Sequence, residues 1–260
     1  MGGLPFSAEP QESNRTLHFF ETGSDKLHLV DVDGRKRGEH RIVRIGEFIV
    51  PSFHASLASQ TGEHIYLSGG IVELNSSKSP MFMRYNVRTQ QARKDFARVI
   101  PRSSHSLVQD TNGDILIIGG YGQTERGEDP LYLKEVERVN ERTGRVEREA
   151  SSHWGGSNIA LQCGELVVKA CDEGVEVFSS RIRQWVIAEI RMRGKAEYSH
   201  CKNSGYATLR EGEFLVFGGY RNDNGGDLYP SDECSYWRVQ GNSQRFMVTI
   251  SNLKCRLPDA

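Results

Sequence analysis

Long apolar runs are missing from this 260-residue chain. The longest, such as Ile115–Ile118, span four or five residues, so no transmembrane helix and no membrane partner are expected. A surplus of one charge is missing too: 33 Lys and Arg face 34 Asp and Glu, which removes the basic footprint of a dedicated nucleic-acid binder. The opening Met1-Gly-Gly-Leu-Pro-Phe-Ser7 has neither the basic start nor the apolar stretch of a signal peptide, and Phe6 breaks the myristoylation pattern. Cysteine is scarce and irregular. Cys163, Cys171, Cys201, Cys234 and Cys255 are odd in number and show no CxxC spacing, so buried free thiols in a reducing compartment are expected, the cytoplasm with the nucleus left open. The two glycosylation sequons at Asn14 and Asn75 then read as chance matches. Nucleophile elbows, phosphate loops and HExxH are absent as well, so no catalytic residue, cofactor or metal is assigned.

What is present is a repeat. Ile65-Tyr-Leu-Ser-Gly-Gly70, Ile115-Leu-Ile-Ile-Gly-Gly120 and Phe214-Leu-Val-Phe-Gly-Gly219 share one cadence, and the first two Gly-Gly pairs are 50 residues apart. A further step of 50 lands on Leu166-Val-Val-Lys-Ala170, apolar but without the glycines, and a step back from Gly69 reaches Leu17-His-Phe-Phe20. Other columns keep the register. Gly followed by an acid precedes the apolar run at Gly62-Glu63, Gly113-Asp114, Gly164-Glu165 and Gly212-Glu213, and a histidine lies upstream at His54, His105, His153 and His200.

Each unit reads as four short strands, a to d. In the third, strand a covers His105–Gln109, Asn112-Gly113 makes the hairpin turn, and strand b is Ile115–Ile118, apolar throughout and buried on both faces. Gly119-Gly120 ends it, where close backbone approach or a positive φ excludes a side chain. Strand c alternates around Val136 and Val139, and strand d lies near Val146. The three-residue spacing of Leu133, Val136 and Val139 also fits a charged helix over 131–149, but register with Tyr85-Asn86 favours strands.

The pattern resembles the kelch repeat, with its Arg-x-x-His start, apolar run into Gly-Gly, and an aromatic or aliphatic residue before Asn or Asp. Arg102-x-x-His105 followed by Gly119-Gly120 is the best copy. The resemblance covers about residues 15–257 in five uneven units. One unit alone has the Arg, the fourth lacks both glycines, and the late Trp survives only as Trp185. It implies an all-β fold, a β-propeller of four-stranded antiparallel blades, one domain over 1–260 with units near 1–50, 51–100, 101–150, 151–196 and 197–250. Residues 251–260 either supply a closing inner strand, with Leu253, Cys255 and Leu257 inward, or begin a blade that another chain completes. In the second case Pro5–Ala8 is the first inner strand and the open edges favour self-association.

In such a blade the b–c and d–a connections share one face. The b–c connections here are long and unlike one another (71–80, 121–131 and 220–233), except Cys171–Gly174 in the fourth unit. Variable loops on a regular scaffold are where binding resides. The expected partner-binding residues are Arg102, Tyr121, Arg126, Trp154, Tyr220, Arg221, Asp223, Asp227 and Tyr229, a mix of Arg and aromatics suited to hot spots. Asp223-Asn-Gly-Gly-Asp227 lacks the full spacing of a calcium loop and reads as a solvated turn. His54, His105, His153 and His200 are expected to ring the channel mouth as capping groups rather than metal ligands. The sequence-level expectation is an intracellular module that binds another protein. The alternatives are an epimerase-like sugar or small-molecule enzyme working through Arg102 and Glu197 in the mouth, and an assembly protein.

Overall fold

The computed structural model describes residues 16–31, 40–46, 48–72, 77–123, 131–193, 205–210, 212–218, 220–222, 228–230, 234–242 and 245–253. Every regular element among them is a strand, and none is a helix long and apolar enough to cross a membrane. Segment 131–149 is therefore not helical: Val136–Val139 and Val146–Glu149 pair as antiparallel neighbours.

Among the described residues five larger sheets succeed one another along the chain, beside three small ones. Sheet one has three strands, Thr16–Phe20, Lys26–Asp31 and His40–Arg44. Sheet two runs Ala55–Ala58, His64–Ser68, Met81–Asn86 and Gln91–Arg98. Sheet three runs Ser106–Gln109, Ile115–Ile118, Val136–Val139 and Val146–Glu149, and sheet four Ile159–Cys163, Leu166–Cys171, Gly174–Ser179 and Gln184–Ile187. In each, strands adjacent in sequence pair antiparallel, the arrangement that short turns impose.

Sheet five departs from that rule. Gly205–Arg210, Glu213–Phe217, Cys234–Asn242 and Arg245–Leu253 meander, and Glu189–Arg193 then adds a fifth strand parallel to Arg245–Leu253. Residues 189–193, placed in the fourth unit on spacing, thus belong to the fifth sheet. The alternation explains it: Ile190 and Met192 turn inward onto the same apolar cluster as Val248 and Ile250. At the other end of the sheet's last strand, Leu253 pairs with Cys234, so the proposed closing segment starts inside sheet five. Its remainder, residues 254–260, and Pro5–Ala8 lie outside the described residues.

Neighbouring sheets meet face to face through four apolar clusters. Leu27, Leu29, Leu67 and Met83 join sheets one and two; Phe82, Phe96, Ile115 and Ile117 join two and three. Leu116, Ile118, Phe178 and Trp185 join three and four, and Val175, Val177, Phe214 and Trp237 join four and five. Residues 65–68 and strand Ile115–Ile118 are buried on both faces because each sheet is sandwiched between two others. The first strands of successive sheets also touch: 55–58 with 106–109, 106–109 with 159–163, and 159–163 with 205–210.

Candidate functional site: the hairpin face and its central cavity

The long b–c connections are folded. Three of them rise as small antiparallel hairpins, Ile71–Val72 with Ser77–Lys78, Tyr121–Gly122 with Leu131–Tyr132, and Tyr220–Asn222 with Leu228–Pro230. The chain leading into the next first strand is stitched to them. Ser52 bridges Ile71, Arg102–Ser103 pairs with Tyr121–Gly122, and Gly120 bridges Gly156. The hairpins of sheets two and three are also linked, since Lys78 Nζ donates to Gly122 O (2.5 Å) and Lys78 N to Gln123 Oε1 (2.8 Å). One face of the molecule therefore carries a connected rim.

The Gly-Gly pair is what lets strand b leave its sheet into such a hairpin. Gly119 and Gly120 both have positive φ, 64° and 89°, and a Cβ on Gly120 would lie 2.5 Å from Ser103 O. In sheet four the chain does not leave. Leu166–Cys171 runs on without positive φ and returns at once, with Cys171 paired to Gly174 across the two-residue turn Asp172-Glu173. A unit with no hairpin needs no glycine pair.

Arg102, expected as a partner contact, is fully buried and works as a support. Its guanidinium donates to Glu137 Oε2 (2.7 Å), Gly119 O (2.9 Å), Glu135 O (3.1 Å) and Ile100 O (3.3 Å). Burial pulls its pKa down and the Glu137 carboxylate opposes this. Glu137 in turn accepts from Ile100 N (3.0 Å), so one buried ion pair fixes the chain entering sheet three. Sheet four has no Arg at this place but solves the same problem from strand b. Lys169 is fully buried and donates to Glu176 Oε1 (3.0 Å), Ser152 Oγ (2.9 Å) and Trp154 O. Glu176 accepts from His153 N (2.8 Å) and Trp154 N (3.3 Å).

The remaining expected contacts divide. Tyr121 is half-buried, edge-on to Tyr132 at 5.4 Å between centroids, and Trp154 is half-buried with its ring over Gly174. Tyr220, Arg221 and Tyr229 lie on the third hairpin, whose side chains are not described, and Arg126, Asp223, Asp227, His200 and Glu197 are outside the described residues. Sequence reasoning missed the side chains that do project. Ile49 (63% exposed), Phe53 (57%), Leu131 (51%) and Tyr132 (57%) all lie on these connections or hairpins. A signal existed: an apolar residue in a loop, off the period of any strand, has no core to enter.

Inside the rim lies a cavity of about 600 Å³ where the first strands of sheets two to five converge. His54 and His105, two of the four histidines of the repeat, line it, and His153 does not. His153 turns to Glu176 (Nδ1 to Oε2, 2.8 Å), and Asn158 takes the corresponding place in the cavity wall. Charged pairs of the enzyme kind do not line it among the described residues, because Arg102 is committed to Glu137 behind the wall. Nor does any group of three metal-ligating side chains occur among them.

The imidazole of His105 is buried with neither nitrogen hydrogen-bonded, and burial, with the positive charge of Arg102 and His54 nearby, holds its pKa well below the usual value. Burial lowers His54 as well, against a hydrogen bond to Pro51 O. The unfolded chain takes up these protons near pH 6.5 while the folded one resists, so stability should fall as pH drops below 6.5. The slope is up to about 1.4 kcal/mol per pH unit for each histidine. Urea unfolding at pH 7 and about pH 5.5 checks this: His105→Leu should flatten the decline, and an unchanged slope would contradict it.

No family model matches the chain, and no curated protein matches it. Among solved structures, that of YjhT matches with a TM-score of 0.67 over 93% of this chain and 87% of that one. The identity is 12%. The likeness is one of fold. It spans nearly the whole chain and carries no statement about chemistry.

Proposed function

We propose that this chain is a five-bladed, kelch-like β-propeller working in the cytoplasm or nucleus as a protein-interaction module, and that its hairpin face binds the partner. Sheets in series, first strands converging on a central cavity, and the repeat columns of the sequence support the propeller reading. The observation that carries the function is the set of exposed apolar side chains raised on one rim, Ile49, Phe53, Leu131 and Tyr132. Apolar anchors with polar surroundings on a rigid scaffold are what a partner groove needs, and burying each gains about 1.5–3 kcal/mol.

Ile49→Asp/Leu131→Asp tests the reading without touching a core. Both side chains are more than half exposed, so the melting temperature should stay within a few degrees of wild type. Proteins retained from lysate by the wild type should be depleted with the variant. Once a captured protein is purified, its Kd should rise at least tenfold. Equal retention and equal Kd would refute docking on this face.

A further inference from the structure

The larger sheets repeat one rule of packing, and the two end sheets each satisfy half of it. Alternate residues of a strand point to opposite faces. In His64–Ser68, Ile65 and Leu67 pack against sheet one and Tyr66 against sheet three. In Ile115–Ile118, Ile115 and Ile117 pack against sheet two, Leu116 and Ile118 against sheet four. In Leu166–Cys171, Val167 packs against sheet three and Val168 against sheet five. One set of alternate positions meets the preceding sheet, and the other set meets the following one.

Sheet one lays Phe20, Leu27 and Leu29 on sheet two. Its opposite face carries Phe19, His28 and Ile42, side by side across the three strands. Phe19 is 48% exposed and Ile42 53%. Sheet five lays Phe214, Val216 and Trp237 on sheet four, so Leu215, Phe217 and Tyr236 take its far face, where Phe217 is 39% exposed. Among the described residues no apolar cluster has members from both end sheets.

We infer that this chain associates head to tail with a second copy of itself, the outer face of sheet one in one copy seating on the outer face of sheet five in the other.

The repeat identifies the occupant. Phe19 belongs to the set of positions that meets a preceding sheet in sheets two to five, and Phe217 to the set that meets a following sheet in sheets one to four. Each end face is therefore one half of a junction that the chain builds four times, and its complement is the other end face. Within one chain Phe19, Ile42 and Phe217 stay exposed, so the match comes from a second copy. Charge does not oppose it. Lys26 and Arg44 beside the first patch are paired with Glu21 and Asp25, and Arg238 beside the second with Glu213. Phe19 is stacked on His28 at 4.5 Å between centroids, which sets the aromatic surface in place before the copy arrives. The two faces differ, so the contact is heterologous and either closes into a ring or grows with concentration. Ile49 and Leu131 lie on the hairpin rim and not on these faces, so the inference is independent of docking there.

Sedimentation velocity on the full chain over a concentration series tests it. The wild type should be dimeric or larger at the upper end of the series. Phe19→Asp/Ile42→Asp spoils the first face and Phe217→Asp the second, and each variant alone should stay monomeric. The replaced side chains are exposed, so both variants should melt within a few degrees of the monomeric wild type. Mixed in equal amounts, the two variants should form a one-to-one dimer and nothing larger, because each brings one intact face. A wild type that is monomeric throughout, a variant that associates as the wild type does, or a mixture that stays monomeric would overturn the inference. A monomeric wild type with both variants melting far below it would place sheet one on sheet five of the same chain instead. Ile49→Asp/Leu131→Asp should leave the association intact, which separates this result from the fate of the docking face.

Discussion

Replacing Glu137 with alanine should destabilise the protein by about 3–5 kcal/mol, a large fraction of the roughly 5–15 kcal/mol that holds a domain folded. The Arg102 guanidinium has no exposed surface, so once its 2.7 Å partner is gone the charge cannot turn to water. Ile100 N loses its acceptor at the same time. Arg102 would keep its carbonyl partners at Gly119, Glu135 and Ile100, which places the cost inside that range rather than above it. Glu137→Gln preserves the shape and one acceptor oxygen and should cost less. The double variant Arg102→Met/Glu137→Leu should recover much of the loss, since apolar residues of similar volume often replace a buried pair with little penalty. Urea unfolding followed by circular dichroism measures all four proteins. A Glu137→Ala midpoint equal to wild type would show that the pair does not hold the chain entering sheet three.

The same pair shows where sequence reading stops. The repeat was legible because it is local: apolar runs, Gly-acid turns and glycine pairs recur at fixed spacing, and strand Ile115–Ile118 has the bounds its pattern gives it. Arg102 was legible as an unusual residue but not as a buried one. Its role depends on Glu137, 35 positions on, and spacing alone carries no sign of which strand face that carboxylate takes. Lys169 was harder still, since a lysine within an apolar run reads as a break in the repeat. It is instead the cation of sheet four, moved from the connection to strand b and matched to Glu176 seven residues later across a tight hairpin. The cavity was half legible. The histidine column located His54 and His105 in its wall, but the third place went to Asn158 because Glu176 captures His153. Segment 189–193 was misplaced for a different reason: parallel addition to a strand more than fifty residues away leaves no local mark.

Replacing Gly120 with valine should be among the most damaging single changes, at or above about 4 kcal/mol, whereas Ala170→Gly in sheet four should cost about 1–2 kcal/mol. Gly120 sits at φ 89°, a conformation a β-branched residue adopts only under strain. Its Cβ would also meet Ser103 O at 2.5 Å and His105 Cβ at 2.8 Å. Neither neighbour can yield. Ser103 is held by pairing with Tyr121, and His105 is packed in the cavity wall directly before Ser106–Gln109. The introduced side chain would therefore push the incoming chain off the hairpin and open the cavity. Ala170 meets none of these conditions: it lies in a continuous strand, pairs with Ile159, and is followed by a two-residue return instead of a hairpin. Its exchange for glycine removes one buried methyl and adds backbone freedom. Thermal and urea melts of the two variants decide between them, and equal shifts would mean that the glycine pair does not do in sheet three what the strand return makes unnecessary in sheet four.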